Sequence, residues 1–113
     1  MSEYGSILQN KVYDVNIRIY NATKLFPKSE KFMLSADIRH SAQNMMRLIL
    51  ASIKKHHRKT SLTEADIELA NLKLLVRMSY DLRFTSMKCY SDIAVALDEI
   101  GRILGGWIKT TTQ

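Results

Sequence analysis

The stretch Ile7-Leu8-Gln9-Asn10-Lys11-Val12-Tyr13-Asp14-Val15-Asn16-Ile17-Arg18-Ile19-Tyr20-Asn21-Ala22-Thr23-Lys24-Leu25-Phe26-Pro27 decides the fold class. Leu8, Val12, Val15, Ile19 and Ala22 recur at alternating steps of four and three, the period of one face of an α-helix. The pattern stops before Phe26-Pro27, because the residue preceding a proline is pushed out of helical backbone space. A helix over about 7–25 follows. Pro27 then suits the first turn of a second helix, where a missing N–H costs nothing.

Downstream, the same period continues. A second helix over about 27–55 turns Leu34, Ile38, Ala42, Met45, Ile49 and Ser52 or Ile53 inward, and Lys54 to Thr60 form the one strongly polar connection. Ser61-Leu62-Thr63-Glu64 matches a capping box, with Ser61 as the cap and Glu64 reaching back, and opens a third helix over about 61–83. Leu62, Ala65, Leu69, Leu72 and Val76 form its inner face. Thr85 or Ser86 caps a fourth helix, over about 86–108, with Tyr90, Ile93, Leu97, Ile100, Leu104 and Trp107 inward. Long helices joined by short connections predict an all-α, antiparallel up-down-up-down four-helix bundle.

Composition agrees. The 113 residues suit one domain over 1–113, and four glycines with one proline leave little material for hairpins. Apolar runs such as Leu48-Ile49-Leu50 and Leu74-Leu75-Val76 are far too short to span a bilayer, so no membrane association is expected. Met1 to Asn10 lacks the basic start and apolar stretch of a secretion signal. Cys89 is the lone cysteine, which excludes an internal disulfide and fits a reducing cytoplasmic setting.

Several helices are apolar beyond one stripe. Met33, Met46, Leu48 and Leu50 widen the second, Ile67, Leu74, Leu75 and Met78 the third, and Val95 and Ile103 the fourth. Such extra apolar surface predicts a homo-oligomer; the alternative is a scatter of exposed aliphatics.

The search for catalysis finds little. His56 and His57 are adjacent and diverge by about 100° on a helix, so they cannot share a metal face. Cys89 has only Lys88 beside it, a weak activator of a thiol. Asp98 and Glu99 are consecutive and face different ways, and Gly101, Gly105 and Gly106 follow no strand, so no phosphate loop is present. No enzyme, metal site or cofactor is expected.

Charge is more informative. The chain carries +6 with a pI near 9.6. Residues 1–60 hold eleven Lys and Arg against four Asp and Glu, a net +7, and residues 61–113 are close to neutral. A basic half on a small domain suits a polyanion partner, nucleic acid above all, or serves as a solubilising face. Lys54, Lys55, Arg58 and Lys59, with His56 and His57 between them, place four fixed charges in six residues. Complementing the helix dipole needs one or two, so this loop is a candidate phosphate contact, against the alternative of a solvated turn. Lys73 and Arg77 are like charges one turn apart, a spacing that costs about 0.2–0.5 kcal/mol unless an anion intervenes. Asp81, four residues after Arg77, is the competing explanation for one of them. Arg39, Arg47 and Lys54 form a rough stripe down the second helix, the shape of a rod-like polyanion.

The five tyrosines could stack on bases, although at helical spacing they more commonly pack inside a fold. Gly101 and Gly105, one turn apart, would let another helix approach closely, whereas Gly106 reads as a tolerated weak helix end and Trp107 as the plug of the bundle.

The ending Asp98-Glu99-Ile100-Gly101-Arg102-Ile103-Leu104-Gly105-Gly106-Trp107-Ile108-Lys109 resembles the last helix of the Avd proteins, the accessory variability determinants of diversity-generating retroelements. Leu25-Phe26-Pro27-Lys28-Ser29-Glu30-Lys31-Phe32 resembles the junction of their first two helices, a link shared with the wider four-helix-bundle group that includes ribosomal-RNA intervening-sequence proteins. Glu64 to Arg77 is similar to their third helix, so the likeness covers about residues 7–109. It implies a barrel-shaped homopentamer of four-helix bundles, non-catalytic and basic. It further implies binding of a reverse transcriptase and of its template RNA, or of DNA or an RNA/DNA hybrid, in support of mutagenic cDNA synthesis. Lys73 and Arg77 are the positions onto which contact with RNA or polymerase carries over. A related four-helix RNA-linked protein or a protein adaptor, with no reverse transcriptase partner, is the alternative.

Overall fold

The computed structural model describes residues 3–111. It contains α1 (Glu3–Thr23), a 3-10 turn over Lys28–Glu30, α2 (Leu34–Lys54), α3 (Lys59–Asp81) and α4 (Met87–Thr111), and no strand among the described residues. Each helix packs on the next in sequence, α4 closes against α1, and the diagonal pairs make no close backbone approach. Cross-helix contacts fix the directions. Asn16 meets Ala42, Ser52 meets Ser61, Lys73 meets Asp98 and Lys11 meets Glu99, the order of an antiparallel up-down-up-down bundle.

The core is the face that the periodicity selects. Leu8, Val12, Val15 and Ile19 of α1 meet Ile38, Ala42, Met45 and Ile49 of α2, all nearly inaccessible. Leu62, Ala65, Leu69, Leu72 and Val76 of α3 and Ile93, Leu97, Ile100 and Leu104 of α4 complete it. Each large side chain so buried stabilises the fold by about 1.5–3 kcal/mol. Aromatic pairs close the two ends. Trp107 is 2% exposed with Tyr4 stacked at 6.3 Å, and Phe26 meets Phe84 at 5.7 Å across the opposite end.

Two local expectations are corrected. Pro27 does not begin α2: it is extended at ψ 143°, a 3-10 turn follows, and α2 starts only at Leu34. Phe26 must reach the end of the core, so the chain cannot pass directly into a second helix. Glu30 then accepts a hydrogen bond from the Leu34 N–H at 3.3 Å, serving one of the free donors at the helix start. The Ser61–Glu64 capping box is also absent. α3 begins two residues earlier, at Lys59; Ser61 is buried, with Oγ 2.7 Å from Ser52 Oγ, and Glu64 is exposed. Pairing two hydroxyls across α2 and α3 satisfies both inside the core, where an unpaired one would be costly. At the start of α4, Ser86 is the cap, accepting from the Cys89 N–H at 3.1 Å, while Thr85 turns to Ser79.

Candidate nucleic-acid interface

Lys54 ends α2, Lys55 to Arg58 form the connection and Lys59 opens α3, so all four predicted cations sit at one end of the bundle. Lys54, Lys55 and Lys59 are exposed, and no carboxylate lies in ion-pairing reach of them among the described residues. Lys54 complements the C-terminal dipole of α2. Lys59 sits against the positive end of α3, whose first turn has no acid, so helix stability does not account for it. Arg58 has a different task. Its Nη2 donates to the Lys55 carbonyl at 3.1 Å and its guanidinium lies 5.6 Å from the Trp107 ring, tying the connection over the end plug. His56 and His57 touch edge to face at 4.8 Å, and no group of three or more potential metal ligands occurs among the described residues.

Lys73 and Arg77 lie elsewhere. Fourteen residues of helix separate Lys59 from Lys73, about 21 Å along the axis at 1.5 Å per residue. Lys73 Nζ lies 3.0 Å from Asp98 Oδ1, and Arg77 Nε lies 3.7 Å from Asp81 Oδ2. The mutual repulsion expected from their spacing is therefore relieved inside the chain, by Asp81 on the same helix and by Asp98 from α4. Both pairs are well exposed, and such pairs contribute about 0–1 kcal/mol, so either cation can be turned to an external anion at little cost.

The α2 stripe divides. Arg39 is half-buried; its Nε donates to Thr23 Oγ1 at 2.7 Å and its guanidinium lies 4.7 Å from the Tyr20 ring, binding α2 to α1. Arg47 is exposed and, among the described residues, is held by Asn44, Nη2 donating to Oδ1 at 2.8 Å. Among the tyrosines, Tyr4 stacks on Trp107, Tyr80 stacks on Tyr90 at 4.8 Å, and Tyr20 lies under Arg39 and Lys24. Tyr13, 59% exposed, is the tyrosine without such a ring contact among the described residues. The glycines also differ from expectation. Gly101 gives α3 its close approach, since a Cβ there would lie 3.3 Å from Leu69 Cδ2. Gly106, and not Gly105, provides the second clearance: a Cβ would meet the Tyr4 ring at 3.3 Å, whereas Gly105 faces open space.

One polar feature escapes sequence reasoning. Glu68 on α3 accepts from Ser41 Oγ at 2.7 Å, Asn44 Nδ2 at 2.5 Å and Asn71 Nδ2 at 3.1 Å, with no cation in reach among the described residues. Partial burial opposes its ionisation, but the three donors outweigh burial and hold its pKa below the ordinary glutamate range. Two partners come from another helix, so only Asn71, three residues on, could have been found by spacing.

No curated protein matches this sequence. The fold is similar to that of a crystal structure of a protein with unknown function from the S23 ribosomal protein family from Bacteroides thetaiotaomicron. That similarity has a TM-score of 0.86 at 19% identity, covering 94% of this chain and 98% of the other. The bAvd-like family matches residues 6–111. This agrees with the likeness carried by the Gly101–Trp107 ending and the Phe26-Pro27 link. With that match running through all four helices and their connections, the chain belongs to the bAvd-like family.

Proposed function

We propose that this chain is a non-catalytic accessory protein of a diversity-generating retroelement, binding a reverse transcriptase and its template RNA so that the RNA is copied mutagenically into cDNA. Membership of the bAvd-like family over residues 6–111 carries the reading. The charge distribution supports it: Lys54, Lys55 and Lys59 are exposed and free of carboxylates among the described residues, on a chain of net +6. Lys73 and Arg77 form a second contact, for RNA or for polymerase, with Arg47 on the crest of α2 between them and the loop. Arg58 holds the basic connection in place through the Lys55 carbonyl and Trp107, and Arg39, engaged by Thr23 and Tyr20, extends the basic surface along α2.

On this reading the protein works as a homopentamer. Repetition of a modest phosphate site around the ring raises overall affinity by effective concentration, without any new contact. The test is a titration of the protein into labelled structured RNA over a range of salt, read by fluorescence anisotropy, followed by co-purification with a reverse transcriptase. Log affinity should fall linearly with log salt, by roughly 0.7–0.9 per phosphate neutralised. No binding at low salt removes the RNA half of the reading, and failure to retain any reverse transcriptase removes the other.

A further inference from the structure

The two ends of the bundle are unlike. At one, the basic connection lies over Trp107; at the other, Phe26 and Phe84 meet at 5.7 Å and draw the α1–α2 and α3–α4 connections together. This second end is apolar where it meets solvent. Phe32 and Leu25, 84% and 82% exposed, are the most exposed large apolar side chains among the described residues, and Met33, Leu82 and Met87 are each more than half exposed. The core does not call for them, since Phe26 and Phe84 already close it. Four cations stand among them. Lys24, Lys28, Lys31 and Arg83 are exposed, and no carboxylate lies in ion-pairing reach of them among the described residues. The acids at this end are engaged elsewhere: Glu30 with the Leu34 N–H, Asp81 with Arg77, and Asp92 with Arg18 and Lys88.

We infer that the Phe26–Phe84 end of the bundle is a protein-docking face, taking a partner segment that carries carboxylates beside apolar side chains. In the reading above that partner is the polymerase, so the inference rests on that reading and gives its protein half a surface.

Charge and chemistry select this occupant. A second copy does not fit: end to end, the four cations would face the same four, and head to tail they would face Lys54, Lys55 and Lys59. A nucleic acid would answer the cations, but Phe32 is the one ring among the five exposed apolar residues, and bases stack on rings. Leu25, Met33, Leu82 and Met87 would then be left against phosphate and sugar. A lipid surface wants apolar tips buried about 5–10 Å ahead of the cations. Here the two kinds alternate residue by residue, in Lys24-Leu25, Lys31-Phe32-Met33 and Leu82-Arg83. Lys31 Nζ lies 5.4 Å from the Phe32 ring, so a group that covers the ring also meets the ammonium. Apolar anchors with charges at their rim are the pattern of a protein interface.

The face is also built in advance. The N–H groups of Glu30, Lys31 and Met33 donate to the carbonyls of Pro27, Lys28 and Glu30 at 2.9, 3.1 and 3.0 Å, which fixes the turn presenting Phe32 and Met33. Order present before binding lowers the cost of docking. The bundle is 24 × 19 Å across its long axis, room for one helix of about 10–12 Å diameter.

The experiment measures binding of the full-length protein to immobilised, ribonuclease-treated reverse transcriptase of the same retroelement. Phe32→Ser and Leu25→Ser remove apolar anchors, Lys28→Glu reverses a rim charge, and Val95→Ser, at an exposed α4 position away from this end, is the control. Circular dichroism and light scattering check that each variant keeps its fold and assembly. Phe32→Ser and Leu25→Ser should weaken polymerase binding by about tenfold or more, the loss of an interface anchor. Lys28→Glu should weaken it several-fold and flatten its salt dependence, and Val95→Ser should match the unmodified protein. Affinity of Phe32→Ser and Leu25→Ser for labelled structured RNA should stay unchanged.

Unaltered polymerase binding by Phe32→Ser and Leu25→Ser overturns the inference and leaves the functional reading intact. RNA affinity that falls in these two variants, with polymerase binding kept, makes the end a nucleic-acid face instead. Co-sedimentation of the unmodified protein with phosphatidylcholine–phosphatidylglycerol vesicles, lost in Phe32→Ser while polymerase binding is kept, makes it a lipid face. If the unmodified protein does not bind the polymerase at all, the polymerase half of the functional reading falls, and the inference with it.

Discussion

Lys73 Nζ on α3 lies 3.0 Å from Asp98 Oδ1 on α4, so the cation that stands unanswered along its own helix is answered across the bundle. Asp98 is 61% exposed in its side chain and competes with any external anion for the same ammonium group. Asp98→Asn should therefore tighten RNA binding at low salt without changing the fold. Lys73→Glu combined with Arg77→Glu should abolish support of cDNA synthesis while the melting temperature moves little. If Asp98→Asn leaves the anisotropy titration unchanged, Lys73 makes no phosphate contact.

The cations of the α2–α3 connection should separate into two kinds. Replacing Lys54, Lys55 and Lys59 together by alanine should leave the thermal transition nearly in place and reduce the salt slope of RNA binding by about 2–3, one step of 0.7–0.9 per lost phosphate contact. Arg58→Ala should do the reverse. It removes the guanidinium above Trp107 and the bond to the Lys55 carbonyl, costing about 0.5–1.5 kcal/mol in a denaturant titration with a small effect on the slope. Equal effects on both readouts from all four residues would contradict this division.

Glu68 should give the bundle a measurable acid sensitivity. Its pKa is lowered in the fold, so its contribution is present above the unfolded value, about 4.3, and is lost as pH falls through the lower folded value. Glu99, lowered by its hydrogen bond and charge interaction with Lys11, adds to the same trend. Glu68→Gln should flatten the fall of melting temperature below about pH 4.3 relative to the unmodified protein. Glu68→Ala should cost about 1 kcal/mol at neutral pH, because the buried Ser41 hydroxyl loses its carboxylate acceptor while water can replace the carboxylate at Asn44 and the exposed Asn71.

Two substitutions should stabilise. Arg83 has φ 65° at the end of α3, where its N–H donates to the Tyr80 carbonyl and that of Phe84 to the Ser79 carbonyl, a helix ending that favours glycine. Arg83→Gly should raise stability by roughly 0.5–1 kcal/mol, since the side chain is exposed and a Cβ is disfavoured there. Gly105→Ala should gain a similar amount, up to about 1 kcal/mol from helix propensity, with nothing within 4 Å of the new methyl. Gly106→Ala should gain less, as its methyl would press on the Tyr4 ring that stacks over Trp107. Calorimetry ranking Gly106→Ala above Gly105→Ala would count against the stacked arrangement.

Much of the fold was legible in the residues alone because helices are local. The spacing of Leu8, Val12, Val15 and Ile19, and of Leu62, Ala65, Leu69, Leu72 and Val76, marks buried faces without reference to the rest of the chain. Boundaries were less legible. Pro27 and Ser61 both look like helix starts; Phe26 seeking the core and Ser61 seeking Ser52 overrule those local signals. Of the candidate site, the cluster from Lys54 to Lys59 is legible because its members are consecutive. Its internal division, with Arg58 turned onto Trp107, is not, since Trp107 is 49 residues away in the chain.

What the sequence by itself determined is therefore what hydrophobic period and charge count can determine: four helices, their inner faces, a basic first half and the resemblance carried by the Gly101–Trp107 ending. What only the tertiary structure decided is who meets whom. Arg39 leaves the exposed stripe for Thr23, Lys73 acquires Asp98, and Glu68 gathers three neutral donors. The physical reason is range. Helix formation and amphipathicity act between residues three or four apart. Ion pairs, side-chain hydrogen bonds and shape depend on which faces the packing brings within a few ångströms, a relation that spacing along a single helix does not contain.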